Sequence, residues 1–332
     1  MATRHVISLQ GLGLALAFAG VGCSGNEGVR PPSYEPVSAV SEGNTYTLTV
    51  GDLRIAVDAA LGARITEFSY RGTNVLTGPE VNIVSYGSTY WPSPQSSWCA
   101  AGVDCWPPIS AIDNNPWTGS IDASTNVVTL TSGPATIAYY VGSEVTVSKR
   151  FTPVPANGAI DVTYTLTNTG GPPVFVAPWQ VSRVAATGGL TFFGQGEGTV
   201  SYATGSDPAF VLTAAEGALW YQFAPLGARS KAWADGAGWL AHVTKKRLLY
   251  LLAFPDVPTG AAAPGEAEVE VFADRGAGDF LEVEAQGTLT AVNAGESLVW
   301  TVRWKLRELP AGVPASVGSG SLSSFAAAQL AE

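Results

Sequence analysis

Between Tyr90 and Trp117 the chain carries four of its ten tryptophans, five prolines and two cysteines, with no strand period. Indole faces stack on the C–H faces of sugar rings, while amide and carboxylate groups exchange hydrogen bonds with hydroxyls. Trp91, Trp98, Trp106 and Trp117 supply the faces, and Gln95, Asp113, Asn114 and Asn115 the polar groups. Long ordered loops of this kind tend to be functional. The alternative is a loop folded over one end of the core, its tryptophans serving as a cap.

Other chemistry is sparse. Beyond the first few residues the only histidine is His242, in Gly238-Trp-Leu-Ala-His-Val-Thr244. It is either a proton carrier or a hydrogen-bonded core residue. Lys149 shares strand parity with Val145 and Val147, so an inward position would need a carboxylate partner; a fraying strand end is the plainer expectation. Cys99 and Cys105 lie six apart. One histidine and two cysteines are too few for a closed zinc site, and neither a metal nor a cofactor is expected. Gly194-Gln-Gly-Glu-Gly198 lacks the strand–helix context of a phosphate loop, and no Gly-x-Ser-x-Gly elbow is present.

The elements that must position these residues are strands. Only 13% of the 332 residues are charged, and 38 glycines with 22 prolines leave little room for long helices. Ala159-Ile-Asp-Val-Thr-Tyr-Thr-Leu-Thr167 and Ser297-Leu-Val-Trp-Thr-Val-Arg-Trp-Lys-Leu306 alternate with period two. Trp300 and Trp304 share the apolar face of the latter and belong to the core. Thr136–Val141 also reads as a strand, and Leu322–Ala331 as a helix. Sixteen to eighteen such strands, without a βαβ rhythm or fixed repeat, predict an all-β protein: one large β-sandwich domain over residues 44–310, followed by a Gly/Ser/Ala-rich tail over 311–332.

Residues 1–22 read as an export signal, ahead of Cys23 in a lipobox-like context and a flexible tether over 23–43. Cleavage after Ala17-Phe-Ala19 is the alternative. The expectation is therefore an exported protein, lipid-anchored at Cys23 to a bacterial cell envelope, or secreted if Cys23 is not lipidated. An oxidising compartment makes a Cys99–Cys105 disulfide the natural reading against two free thiols. A net charge of -10 disfavours nucleic acid as a partner.

Several stretches, in order, resemble exported bacterial proteins related to galactose mutarotase. They are Gly62-Ala-Arg-Ile65; Tyr90–Trp98 with Trp106-Pro-Pro and Ala111-Ile-Asp113; Val145–Phe151 with Thr165–Asn168 and Val174–Trp179; and Phe280–Gln286 with Ala294–Ser297. The resemblance implies a β-supersandwich with a carbohydrate cleft on one face, and Arg64 and Trp179 join the expected ligand-binding residues. It also implies a general base on the C-terminal strand, where Glu284 fits best and Glu282 second; the two share a face. The general acid of such proteins, usually histidine, corresponds to a position at or near Trp179, and an indole cannot exchange a proton in this range. Three functions follow: carbohydrate binding through the tryptophan loop and a carboxylate-lined cleft; a sugar epimerase or polysaccharide-processing enzyme using Glu284 with His242 or Lys149; or a structural envelope protein.

Overall fold

The computed structural model describes residues 36–101, 105–274 and 280–332. The export segment, Cys23 and most of the tether lie outside the described residues. Among those described, no helix is long and apolar enough to cross a membrane.

Two antiparallel sheets, of twelve and ten strands, make up a β-sandwich. The larger runs through Arg64–Tyr70, Ser88–Ser93, Val174–Ala185, Phe280–Gln286, Val269–Ala273 and Ser230–Ala234 at its centre. The smaller runs through Leu190–Gly194, Trp239–Val243, Leu248–Ala253, Ser297–Glu308, Ala159–Gly170 and Glu144–Val154. The alternation in the sequence maps directly onto burial. Ile160, Val162, Tyr164 and Leu166 stand opposite Trp304, Val302, Trp300 and Leu298, and turn one face of the smaller sheet inward. There Phe68 of the larger sheet meets Trp304 edge-on at 5.2 Å and Tyr250 at 5.7 Å between ring centroids. Trp300 and Trp304 are core, as their parity requires.

The sandwich takes in more chain than 44–310. Val37–Glu42 forms an edge strand paired in register with Thr45–Val50, inside the stretch read as a tether. Its six residues directly follow Pro36, and with only Val37 and Ala39 partly buried they show no clear period of two. Gly320–Ala331 is a helix capped by the Ser319 hydroxyl, which accepts from the Leu322 N–H at 3.2 Å. It is docked, not a loose tail: Leu322 and Ala326 pack against Leu249 and Leu251. Thr136–Val141, expected as a strand, is a turn, because its two tyrosines point outward beside Phe175 instead of pairing.

Candidate functional site

Five adjacent strands of the larger sheet build the site: Ser88–Ser93, Val174–Ala185, Phe280–Gln286, Val269–Ala273 and Ser230–Ala234. Successive side chains point to opposite faces. Tyr90, Val184, Val283, Val271 and Ala232 enter the core between the sheets. Their neighbours in sequence, Trp91, Arg183, Glu282, Glu284, Glu270 and Lys231, take the other face. The register sets Trp91 opposite Trp179, Arg183 opposite Glu282, Glu282 opposite Phe272 and Phe272 opposite Lys231.

The segment after Ser93 folds back over this face. Trp98, Cys105 and Ile109 pack against Trp91, Trp179 and Val181. A Cys99–Cys105 disulfide, with Cα atoms 5.4 Å apart, staples the fold-back. Trp91 contacts Trp98, Trp106 and Trp179 at centroid distances of 5.4, 5.9 and 5.2 Å. Trp98 lies buried in this cluster, whereas Trp106 is 56% exposed. Between them and the strands is a cleft of about 560 Å³, lined by Trp91, Gln95, Trp106, Trp179, Lys231 and Glu284 among others.

Gly62 helps to place the back wall. It sits at φ +59°, and a Cβ there would lie 2.2 Å from the Asp113 carbonyl oxygen. Glycine alone lets the turn around Asp113 approach this closely. Asp113 is thereby held behind the cleft, where Oδ1 accepts from Trp91 Nε1 at 2.8 Å and Oδ2 faces Arg64 at 3.5 Å.

The charges form two sets. Arg183 Nε donates to Glu282 Oε1 at 2.8 Å, and its guanidinium lies 5.0 Å from the centre of the Trp91 ring. Lys231 is ion-paired with Glu270 and stands 3.5 Å from Glu284 Oε2. The same Oε2 accepts from Trp179 Nε1 at 2.9 Å. Burial raises the Glu284 carboxyl above the ordinary carboxylate range, and Lys231 opposes that shift without cancelling it. Burial works against the Lys231 ammonium, but Glu270, Glu284 and Glu266 outweigh it and hold the lysine protonated. Glu284 Oε1, also buried, has no hydrogen-bond partner among the described residues. A buried polar oxygen left without a partner costs about 1–3 kcal/mol, which a ligand hydroxyl, able to donate or accept, would offset.

Of the residues expected from sequence, Trp91, Gln95, Trp106, Trp179, Glu282 and Glu284 line the cleft. The others do not reach it. Asp113 and Arg64 are a buried supporting layer, with Arg64 also donating to the Val84 carbonyl at 2.7 Å. Trp98 packs among the lining tryptophans. Trp117 is in the main core, its indole N–H on the Ala111 carbonyl at 3.2 Å. His242 belongs to the smaller sheet and shares parity with Leu240, a residue of the inter-sheet core. Its Nδ1 is 2.9 Å from Thr191 Oγ1, and burial pushes its pKa down to about 4. Lys149 is not at a fraying end: its strand continues to Val154, and Nζ donates to the carbonyls of Gly62 and Ala63 at 3.1 and 2.8 Å. Burial lowers its pKa to about 7. Both groups are buried, and neither is among the residues lining the cleft beside Glu284.

Sequence reasoning missed Lys231, Glu270 and Arg183. Ser230-Lys-Ala-Trp-Ala234 alternates small residues with Lys231 and Trp233, and Val269-Glu-Val-Phe-Ala273 alternates small or apolar residues with Glu270 and Phe272. That parity signal shows only once the strands are paired.

Comparison with solved structures decides the architecture. A galactose mutarotase-like protein from Lactobacillus casei superimposes with a TM-score of 0.55 at 12% identity, covering 82% of this chain and 100% of that one. The fold is galactose mutarotase-like. A putative aldose 1-epimerase from Escherichia coli K12 gives 0.52 at 15% identity, covering 80% of this chain and 99% of that one. A TPR-domain containing protein from Parabacteroides distasonis gives 0.56 at 13% identity over 82% of this chain, which spans only 49% of that larger protein. Neither a comparison with protein-family models nor one with curated proteins gives a match.

Proposed function

We propose that this mutarotase-like sandwich binds carbohydrate in the cleft between Trp106 and Glu284 and does not catalyse ring opening. The observation that carries the reading is a cleft that sets the exposed Trp106 indole beside the buried Glu284 carboxyl, whose Oε1 has no hydrogen-bond partner among the described residues. Sugar rings offer what this pair lacks: hydroxyl donors next to an apolar C–H face. Ring opening needs a base for the anomeric hydroxyl and an acid for the ring oxygen, both within hydrogen-bond reach. Glu284, once ionised, meets the first requirement. For the second, the neighbouring groups are the Trp179 indole and a Lys231 ammonium held protonated by its carboxylates. Because residues 1–22 read as an export signal ahead of Cys23, the proposed place of this binding function is the cell envelope.

A glycan array probed with the wild-type chain and with Glu284→Gln and Trp106→Ala tests the reading. The wild type should bind a defined set of neutral glycans. Each variant should lose roughly ten-fold or more in affinity, the scale of one stacked ring or one charged hydrogen bond. Binding unchanged in both variants would move the site elsewhere.

A further inference from the structure

We infer that the cleft is one end of a longer binding path whose natural occupant is a neutral oligosaccharide, not a free monosaccharide; this rests on the carbohydrate reading above. A second cavity, of about 390 Å³, opens on the other side of the short 3-10 turn Gln95–Trp98. Gln95 lines the cleft, while Ser96 and Ser97 line the groove. A second segment also bridges the two. Pro264 lines the groove, Glu266 accepts the Gln95 N–H at 2.9 Å, and Glu270 pairs with Lys231 in the cleft.

The strand Val174–Ala185 ties both cavities to one surface. Phe175, in the groove, and Trp179, in the cleft, share parity and so share a face. Four residues at a rise of about 3.3 Å separate them by roughly 13 Å, farther than one sugar ring extends. The groove is aromatic: Tyr140 lies 5.3 Å from Tyr139 and 6.3 Å from Phe175 between centroids. Tyr139 is 56% and Phe175 49% exposed, a cost for a surface without a partner. The Tyr140 hydroxyl donates to the Phe175 carbonyl at 2.8 Å, which fixes the pair of rings. Among the described residues, no charged side chain lines the groove. Ring faces and serine hydroxyls without charge suit successive neutral sugar rings.

The test is titration calorimetry on the full chain with matched gluco-, galacto-, manno-, xylo- and chito-oligosaccharides, each from monosaccharide to hexasaccharide. At least one series should gain about ten-fold or more in affinity with length. Phe175→Ala and Tyr139→Ala should each remove about three- to ten-fold of that gain, leaving monosaccharide affinity and the thermal melt unchanged. Both side chains are half exposed, so the variants keep the fold. A series that binds with no gain in length, or a gain that survives both variants, overturns the extended path and leaves the cleft reading intact. No binding in any series overturns the cleft reading and this one with it.

Discussion

The two sheets cover their outer faces with opposite chemistry. On the smaller sheet, Phe192, Trp220, Leu249 and Leu251 meet Leu322 and Ala326 of the C-terminal helix in an apolar seam. On the larger sheet, the tryptophan segment closes over Glu284, Glu270, Lys231 and Arg183 and leaves a cleft of about 560 Å³. Covering a sheet for stability alone needs only the first solution. Burying ion pairs incurs a desolvation cost that their attraction at best balances, and well-packed apolar residues often do better. On the function proposed above, the larger sheet keeps its charges for a ligand in the cleft.

The largest effect should come from Lys231→Met. It strands two buried carboxylates and should cost about 3–5 kcal/mol at neutral pH in urea unfolding. Glu270 and Glu284 already sit above the ordinary carboxylate range through burial, and losing the cation raises them further. A carboxyl raised in the folded state favours folding at low pH, and that advantage is lost as pH rises through its folded value. The penalty should thus be smaller near pH 5 than near pH 8. Leu322→Ala in the apolar seam should cost roughly 2–3 kcal/mol, the low end for a buried leucine at a surface helix, and show no such pH dependence. Equal pH profiles for the two variants would erase the distinction between the faces.

The same contrast explains what sequence could show. Period-two alternation in Ala159–Gly170 and Ser297–Glu308 reveals strands, a core face and the core roles of Trp300 and Trp304. Within Phe280–Gln286 it also reveals that Glu282 and Glu284 share a face. The partners of those glutamates are another matter. Arg183 reaches Glu282 across 99 positions and Lys231 reaches Glu284 across 53. Pairings at such separations follow from sheet order, which one sequence does not encode locally. Trp117 packs in the main core and not at the cleft for a related reason: the Gly62 turn draws the 110–115 segment inward, and only packing distinguishes an indole that lines a cleft from one that fills a core.

The smallest expected effect is none at all. Polarimetry on freshly dissolved α-D-galactose or α-D-glucose should show no acceleration by the protein. A missing general acid typically costs about 10²- to 10⁴-fold in rate. A fast decay abolished by Glu284→Gln would mean that Lys231 or an ordered water donates the proton.

A crystal structure of the chain with the glycan that binds best tests the central claim most directly. A sugar ring should lie against Trp106, with one hydroxyl about 2.6–3.2 Å from Glu284 Oε1. A ligand bound away from this cleft, with Glu284 Oε1 still unpartnered, would contradict the account.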